Sequence, residues 1–203
     1  MKKTFIINAL CAMLCFAITA NAAGNAAAGK AKALQCIACH GIDGNSVIPQ
    51  FPKLAGQHAE YLAELMKAYK AGTRFDQIMS PMADTLLGTD TDIEDMAAYF
   101  ASQTSNACSS QPETDKIKAG KAKVKAKGCY ECHQMDGNSE KPIFPKLAGQ
   151  HEAYLIKSMK GYREGTRKDD YHIMSKMALF LSDDADIESI AAYFASQKSD
   201  TCQ

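Results

Sequence analysis

The chain has 203 residues, and its 23 basic and 23 acidic side chains leave no formal net charge. Segment 1–22 carries two of the lysines, so its removal leaves 21 basic and 23 acidic residues. Such a chain lacks the basic surplus of a nucleic-acid-binding protein, which excludes nucleic acid as a partner. Its length suits two domains of about 90 residues each.

The first 22 residues are predicted to be a signal peptide. Two lysines at positions 2 and 3 precede an apolar run over residues 5–20, and Ala20-Asn21-Ala22 has the small-residue pattern of a cleavage site. The apolar run is shorter than the ~20 residues that span a bilayer. We therefore expect export, with segment 1–22 removed.

The rest of the chain is an internal duplication. Residues 36–58 (CIACHGIDGNSVIPQFPKLAGQH) and 129–151 (CYECHQMDGNSEKPIFPKLAGQH) are identical at 16 of 23 positions without a gap. The shorter segments AGKAK, GTR, IM-x-x-M and AAYFASQ also recur in the same order. Two tandem domains follow, at 23–107 and 108–203, with a linker near 105–114.

Three helices are predicted in each half. The first is rich in Ala and Lys and leads into a Cys-x-x-Cys-His motif. The second runs from about His58 to Ala71, where apolar residues recur every three or four positions and Gly72 follows as a stop. The third begins near Thr91, with acidic residues in its first turn. No segment alternates as a strand does, so the predicted fold is all-α.

The two Cys-x-x-Cys-His motifs carry the chemistry: Cys36, Cys39 and His40 in the first half, and Cys129, Cys132 and His133 in the second. Residues i, i+3 and i+4 share one face of a helical turn. Two thiols so placed can form thioethers with the vinyl groups of one haem, with the histidine below the iron. The pattern therefore predicts two covalently bound haem c groups.

Two other chemistries use closely spaced cysteines. A zinc site would need further Cys or His ligands clustered in each half, and a redox dithiol would lie in a βαβ context. Neither feature is present in the sequence, so haem attachment is favoured over both.

These motifs, with the DGNS, FPKLAGQ, IM-x-x-M and AAYFASQ segments, resemble the dihaem cytochrome c4 family over essentially the whole mature chain. The resemblance implies two tandem class I cytochrome c domains. A methionine is the expected sixth ligand of an electron-carrying haem. Spacing does not choose between Met79 and Met82, or between Met174 and Met177; the resemblance favours Met79 and Met174.

The resemblance also assigns a supporting role to two prolines. Pro52 and Pro145 each lie 12 residues after the motif histidine. In class I cytochromes a proline so placed accepts a hydrogen bond from histidine Nδ1, which orients the ring. The alternative is a proline that only shapes the turn. The remaining histidines are His58, His151 and His172. Of these, His58 and His151 are candidates for bis-histidine ligation, but a haem-propionate or surface role is preferred for them.

The resemblance implies a periplasmic electron carrier between a quinol-oxidising complex and a terminal oxidase, without substrate chemistry. Its partners would be membrane respiratory complexes. A monomeric chain is expected, and peripheral membrane association is left open. The main alternative is an enzyme, either a dihaem peroxidase or a dehydrogenase. Such an enzyme would need one haem that can lose its sixth ligand. A haem sensor is a third possibility.

Two features remain open. Cys108 and Cys202 lie at equivalent places after each third helix, and they form either a disulfide or two free thiols. Six lysines lie in the segment from Lys116 to Lys127. They form either a solvated helix face, which is favoured, or a docking patch for an acidic redox partner.

Overall fold

The computed structural model describes residues 24–169 and 173–202, and within these ranges all regular structure is helical. The predicted all-α fold is confirmed. The predicted signal peptide and His172 lie outside the described residues. None of the described helices is long and apolar enough to cross a membrane.

The first half folds into five α-helices and one 3₁₀ turn at Ala33–Cys36. The helix predicted near Thr91 begins at Asp90 because Thr89 caps it: Thr89 Oγ1 accepts from the Asp92 amide, and the Asp92 carboxylate accepts from the Thr89 amide. The helices are α1 (Ala26–Lys32), α2 (Ile37–His40), α3 (Ala59–Lys70), α4 (Met79–Leu86) and α5 (Asp90–Ala101).

The described part of the second half repeats this order. Asp183 caps its last helix through the Ala185 amide. The helices are α6 (Asp115–Ala126), α7 (Tyr130–His133), α8 (Glu152–Arg163), α9 (Ile173–Met177) and α10 (Asp184–Ala195), with a 3₁₀ turn at Ala178–Phe180 after α9.

In each half the first helix crosses the last one at a glycine. A Cβ on Gly29 would lie 1.9 Å from the Asp95 carbonyl oxygen, and one on Gly120 would lie 1.9 Å from that of Ser189. Only glycine permits this approach. It brings the first helix against a core centred on Phe100 in one half and Phe194 in the other, both 2% exposed.

The segment after the candidate methionine ligands differs between the halves. Met79 begins the continuous helix α4, which is followed by the buried Leu87. Between Met174 and the equivalent buried Leu181 the second half is one residue shorter. Since the same span is covered with fewer residues, the end tightens into a 3₁₀ turn.

The halves meet through reciprocal hydrogen bonds. Gln57 accepts from the Lys146 amide and donates to its carbonyl, both at 2.9 Å. Gln150 does the same with Lys53, again at 2.9 Å in each direction. Because equivalent residues exchange partners, the halves are related by a pseudo-two-fold axis.

The segment after α5 is tied to the chain's end. Cys108 and Cys202 form a disulfide with their Cα atoms 5.2 Å apart. The Ser199 amide donates to the Ala107 carbonyl at 2.9 Å, and the Gln111 amide to that of Ser196 at 2.9 Å. Of the two alternatives for these cysteines, the structure has the disulfide. The disulfide attaches the predicted linker to the second half. The exact domain bounds at 107 and 108 remain a prediction.

Candidate functional site

The first motif lies where the 3₁₀ turn passes into α2. Cys36 ends the turn, and Cys39 and His40 lie on α2. His40 Nδ1 donates to the Pro52 carbonyl at 2.8 Å. Both thiols are half-buried, and Cys36 packs against the same core cluster as Met79.

The second motif has the same arrangement with deeper burial. Cys129 precedes α7, which carries Cys132 and His133. The His133 ring is 6% exposed, and its Nδ1 donates to the Pro145 carbonyl at 2.9 Å. The proline bonds implied by the resemblance are therefore present in both halves.

Burial governs the protonation of these groups. It lowers the pKa of His40 and His133, against the opposing effect of the proline carbonyls, and so favours neutral imidazoles. Burial, and then the neighbouring Cys39, raise the pKa of the Cys36 thiol to about 11; burial also raises that of Cys129. A reactive dithiol needs a depressed pKa, so this setting disfavours the redox-dithiol alternative.

Each motif continues into a loop fixed by two hydroxyl groups. Ser46 Oγ donates to the Cys39 carbonyl at 3.0 Å, and Ser139 Oγ to that of Cys132 at 2.9 Å. A tyrosine of the last helix holds the loop from the other side, through Tyr99 OH to Ile42 O at 3.0 Å and its counterpart from Tyr193 at 2.8 Å. The cysteines and histidines thus stand on a braced turn.

The methionine pairs differ in burial. Met79 is half-buried against the first core, and its amide donates to Asp76 at 3.1 Å, whereas Met82 is 43% exposed. The Met174 amide donates to Asp169 at 3.1 Å. Met174 and Met177 are both half-buried, so burial separates only the first pair.

Three observations fit a haem in each half. Nδ1 of each motif histidine is bonded, while Nε2 makes no hydrogen bond within the described residues, which leaves it available to iron. Among residues 24–169 and 173–202, no three His, Cys, Asp or Glu side chains group as a zinc site would require. Large apolar side chains in the segments that follow the motif histidines or flank the candidate methionines are also more than a third exposed. These are Ile42, Val47, Phe75, Ile78, Ile143, Leu179 and Phe180.

A family model described as cytochrome c matches residues 26–104 and 117–198. Two relatives named cytochrome c4 are similar over most of the chain. The one from Azotobacter vinelandii is 40% identical over 191 residues, which cover 86% of this chain and 90% of the relative. The one from Pseudomonas aeruginosa is 42% identical over 182 residues, which cover 86% and 89%.

The chain belongs to the cytochrome c4 family. It is thus a dihaem electron-transfer cytochrome, with a covalent haem c in each of two cytochrome c domains. The crystal structure of reduced cytochrome c4 from Pseudomonas stutzeri is similar, with a TM-score of 0.76 and 39% identity over 86% of this chain and all of that one.

Two further similarities concern thiosulfate oxidation. A protein named thiosulfate dehydrogenase electron acceptor, from Stutzerimonas stutzeri, is 30% identical to this cytochrome over 80% of the chain and 79% of that relative. A thiosulfate dehydrogenase structure from Marichromatium purpuratum has a TM-score of 0.72 and 29% identity, over 85% of this chain and 40% of that one.

Two of the remaining histidines, His58 and His151, form hydrogen bonds with the opposite domain. His58 Nε2 donates to the Ser139 carbonyl at 2.7 Å, and His151 Nε2 to that of Ser46 at 2.8 Å. Both rings bridge the domains, which does not support bis-histidine ligation. This bridging role was not predicted, although the repeated LAGQH segment was its signal.

The lysine run lies on helix α6. Lys116 pairs with Glu152 at 2.7 Å, and two others pair with Asp186 of α10. Lys118, Lys121 and Lys125 are exposed. This mixture of ion pairs and solvated lysines agrees with the favoured interpretation as a solvated face.

Proposed function

We propose that this cytochrome c4 carries electrons between respiratory complexes of the membrane, from a quinol-oxidising complex to a terminal oxidase, with no substrate chemistry of its own. The observation that supports this most is the repeated histidine geometry: in each domain Nδ1 is held by a proline carbonyl and Nε2 is free of protein hydrogen bonds within the described residues. An imidazole ring that is held at Nδ1 and free at Nε2 is oriented to bind iron through Nε2.

The proposed haem ligands follow from the two motifs. Cys36 and Cys39 would form thioethers with one haem, and Cys129 and Cys132 with the other. His40 and His133 would each supply one ligand to the iron, with Pro52 and Pro145 orienting their rings. Met79 and Met174 would each supply the second protein ligand.

A haem with both axial positions filled by protein supplies outer-sphere electron transfer, with its potential set by ligands and burial. The role of the chain is then to hold the ligands, exclude water and fix the two sites relative to each other. The braced turns and the reciprocal domain contacts serve this role.

A different electron donor is the second candidate. The similarity to a thiosulfate dehydrogenase electron acceptor favours a thiosulfate dehydrogenase as the donor in place of a quinol-oxidising complex. In either case we propose a periplasmic, monomeric carrier that touches membranes only peripherally.

The carrier role is tested with the purified holoprotein. A pyridine haemochrome assay should count two haems c per chain, and the oxidised protein should show the near-infrared band of methionine-bound haem iron. The reduced protein should bind carbon monoxide slowly or not at all. Rapid carbon monoxide binding at one haem would contradict a carrier and favour the peroxidase alternative.

The donor is tested by stopped-flow reduction. Membranes containing the quinol-oxidising complex should reduce the cytochrome within turnover time, and that reduction should be blocked by an inhibitor of the quinol site. Reduction only by thiosulfate dehydrogenase plus thiosulfate would replace the first candidate with the second.

A further inference from the structure

The peptide group between Pro145 and Lys146 is hydrogen-bonded to both domains. Its carbonyl oxygen, on Pro145, accepts from His133 Nδ1 at 2.9 Å. Its amide, on Lys146, donates at 2.9 Å to Oε1 of Gln57, which belongs to the first domain. The peptide group is planar and trans, so the two bonds leave it in opposite directions. One continuous hydrogen-bonded path therefore runs from the motif histidine of the second domain to a side chain of the first.

The first domain has the same path in the reverse direction. The Pro52 carbonyl accepts from His40 Nδ1 at 2.8 Å. The Lys53 amide of the same peptide group donates at 2.9 Å to Oε1 of Gln150, which belongs to the second domain. Each motif histidine is therefore connected, through a single peptide group, to a glutamine of the opposite domain.

Both glutamine side chains are buried and held in one orientation. Gln57 and Gln150 are each 8% exposed. Their Nε2 atoms donate at 2.9 Å to the carbonyl of the same lysine whose amide they accept, so the side-chain amide cannot turn over without losing both bonds. Each Oε1 also accepts from the next amide in its own chain, that of His58 at 3.1 Å or His151 at 3.0 Å.

A chain of buried hydrogen bonds changes the strength of its members. An acceptor at the amide of a peptide group polarises the group, and its carbonyl oxygen becomes a stronger acceptor in turn. A stronger acceptor at Nδ1 makes an imidazole ligand more basic. Since a more basic ligand favours ferric iron, the bond from the glutamine should lower the reduction potential of the haem that the histidine binds.

We propose that Gln57 and Gln150 are positioning residues that tune the haem of the opposite domain. Each glutamine lowers the reduction potential of the other domain's haem by strengthening the bond between the proline carbonyl and the motif histidine. This inference deepens the carrier function and rests on the proposed ligation of iron by His40 and His133. Its consequence is that neither domain sets its potential alone, because part of each potential comes from the docked partner domain.

The alternative role of these bonds is attachment of the domains to each other. The two roles predict shifts of opposite sign. Loss of the polarising bond should raise the potential of one haem, the one in the opposite domain. A loosened interface would admit water, which favours ferric iron and lowers the potentials of both haems.

The test is a spectroelectrochemical titration of Gln57→Leu and Gln150→Leu, which remove the bonds with little change in size. Cooperative strengthening of roughly 10–30% per bond corresponds here to a roughly twofold shift of the reduction equilibrium toward the reduced form, or about 18 mV at 59 mV per tenfold. Gln57→Leu should shift the second haem and leave the first, and Gln150→Leu should do the reverse. Met79→Ala and Met174→Ala show which potential belongs to which domain.

A matched control breaks the interface elsewhere. The Ser105 amide donates across the domain boundary to Thr201 Oγ1 at 3.4 Å, and Thr201→Val removes this bond while both glutamines stay in place. Both potentials should then be unchanged. A second measurement is the proton NMR spectrum of the reduced, diamagnetic protein. The Nδ1 proton of His133 should move upfield in Gln57→Leu because its bond weakens, and that of His40 should not move.

The pattern of shifts decides between the two roles. A fall of both potentials would indicate a loosened interface, and a shift confined to the variant's own domain, or no shift, would equally overturn the proposal. If Gln57→Leu does not accumulate, Gln150→Leu and Gln57→Met apply the same measurement. A wild-type protein without two histidine–methionine haems would overturn the ligand assignment, whereas haem-replete variants with unmoved potentials would overturn the tuning role alone.

Discussion

The same helix crossing is held by three charged side chains in each domain, but the signs are reversed. In the first domain one cation, Lys32, pairs with Asp92 at 2.7 Å and Asp95 at 2.5 Å. In the second domain one acid, Asp186, pairs with two lysines at 2.5 and 2.9 Å. The first triad carries a net charge of −1 and the second +1. Geometry has therefore been kept while local charge has been inverted.

The surroundings of the second site are also more positively charged and more buried at other positions. Lys127 of the second triad also donates to the Phe180 carbonyl at 2.8 Å, whereas in the first domain the neutral Gln35 donates to the Leu86 carbonyl at 2.7 Å. By sequence, residues 23–107 carry a net charge of −3 and residues 108–203 of +1. The second histidine, His133, is also the more buried one. Positive surroundings and burial both disfavour ferric iron, so we expect the second haem to have the higher potential.

The largest effects should come from the proposed axial ligands. Met79→Ala and Met174→Ala should each lower the potential of one haem and open it to carbon monoxide, because a Met/His site becomes five-coordinate or water-bound. If the domains differ as we expect, Met174→Ala removes the higher of the two potentials. Potentiometric titration and carbon monoxide binding measure both. Met82→Ala and Met177→Ala are the matched controls, and an open haem in either of them would reverse the ligand assignment.

The disulfide should have the next largest effect, on stability. Replacing both cysteines by serine frees a loop of 94 residues, which costs about 4–5 kcal/mol in the chain-entropy model. Guanidinium unfolding of the holoprotein measures it. Without the bond each domain should also unfold in its own transition, so the stabilities of the two domains can be compared directly. A decrease in the free energy of unfolding of less than about 1 kcal/mol would contradict this expectation, because the bond would then restrict the unfolded chain very little.

The helix crossings should be sensitive to one methyl group. Gly29→Ala and Gly120→Ala each place a Cβ against a backbone oxygen, and overpacking of this kind costs about 1–3 kcal/mol. Because both Cβ atoms would meet their oxygens at the same distance, the two losses should be similar in thermal unfolding. Lys30→Ala, exposed and one position along α1, should change little. A tolerated Gly29→Ala with a damaging Gly120→Ala would break the equivalence of the crossings.

The smallest effects should come from the inverted triads. The bonded lysines hold the pKa of Asp95 and Asp186 below the ordinary value near 4. Their contribution to folding is therefore complete above that value and is lost as the pH falls through the lowered pKa. Asp186→Asn should reduce the acid sensitivity of the second domain only, and Asp95→Asn that of the first. The measurement is the thermal unfolding temperature of each domain from pH 2 to 6, a range set approximately by these pKa values. If the triads did not contribute, the unfolding temperature would depend on pH with the same slope in the wild type and in both variants.

The haem motifs and three helices of each domain could be predicted from the sequence because their signals are local, whereas the helices at the candidate methionines, α4 and α9, were not predicted. The Cys-x-x-Cys-His spacing, the stop at Gly72 and the acidic start of α5 each act within one or two turns. The proline carbonyls were found by resemblance, and the bonds are present at 2.8 and 2.9 Å. The all-α fold followed from the same local patterns.

The domain interface could not be predicted in this way. Gln57 and Lys146 are 89 residues apart, and nothing in either local sequence states which surfaces meet. The Cys108–Cys202 disulfide could not be predicted for the same reason. Equivalent positions of a duplication meet only near the pseudo-two-fold axis, and the sequence does not show where that axis lies.

The reciprocal glutamine bonds have a consequence for how such a chain can arise. Each half presents both sides of the contact, a glutamine side chain and a lysine backbone, on one surface. Two copies of a single half would therefore carry everything needed to pair face to face as a homodimer. Joining the halves in one chain replaces a concentration-dependent association by a tether with high effective concentration. Once tethered, the two copies no longer need to be identical, and one can turn acidic while the other turns basic.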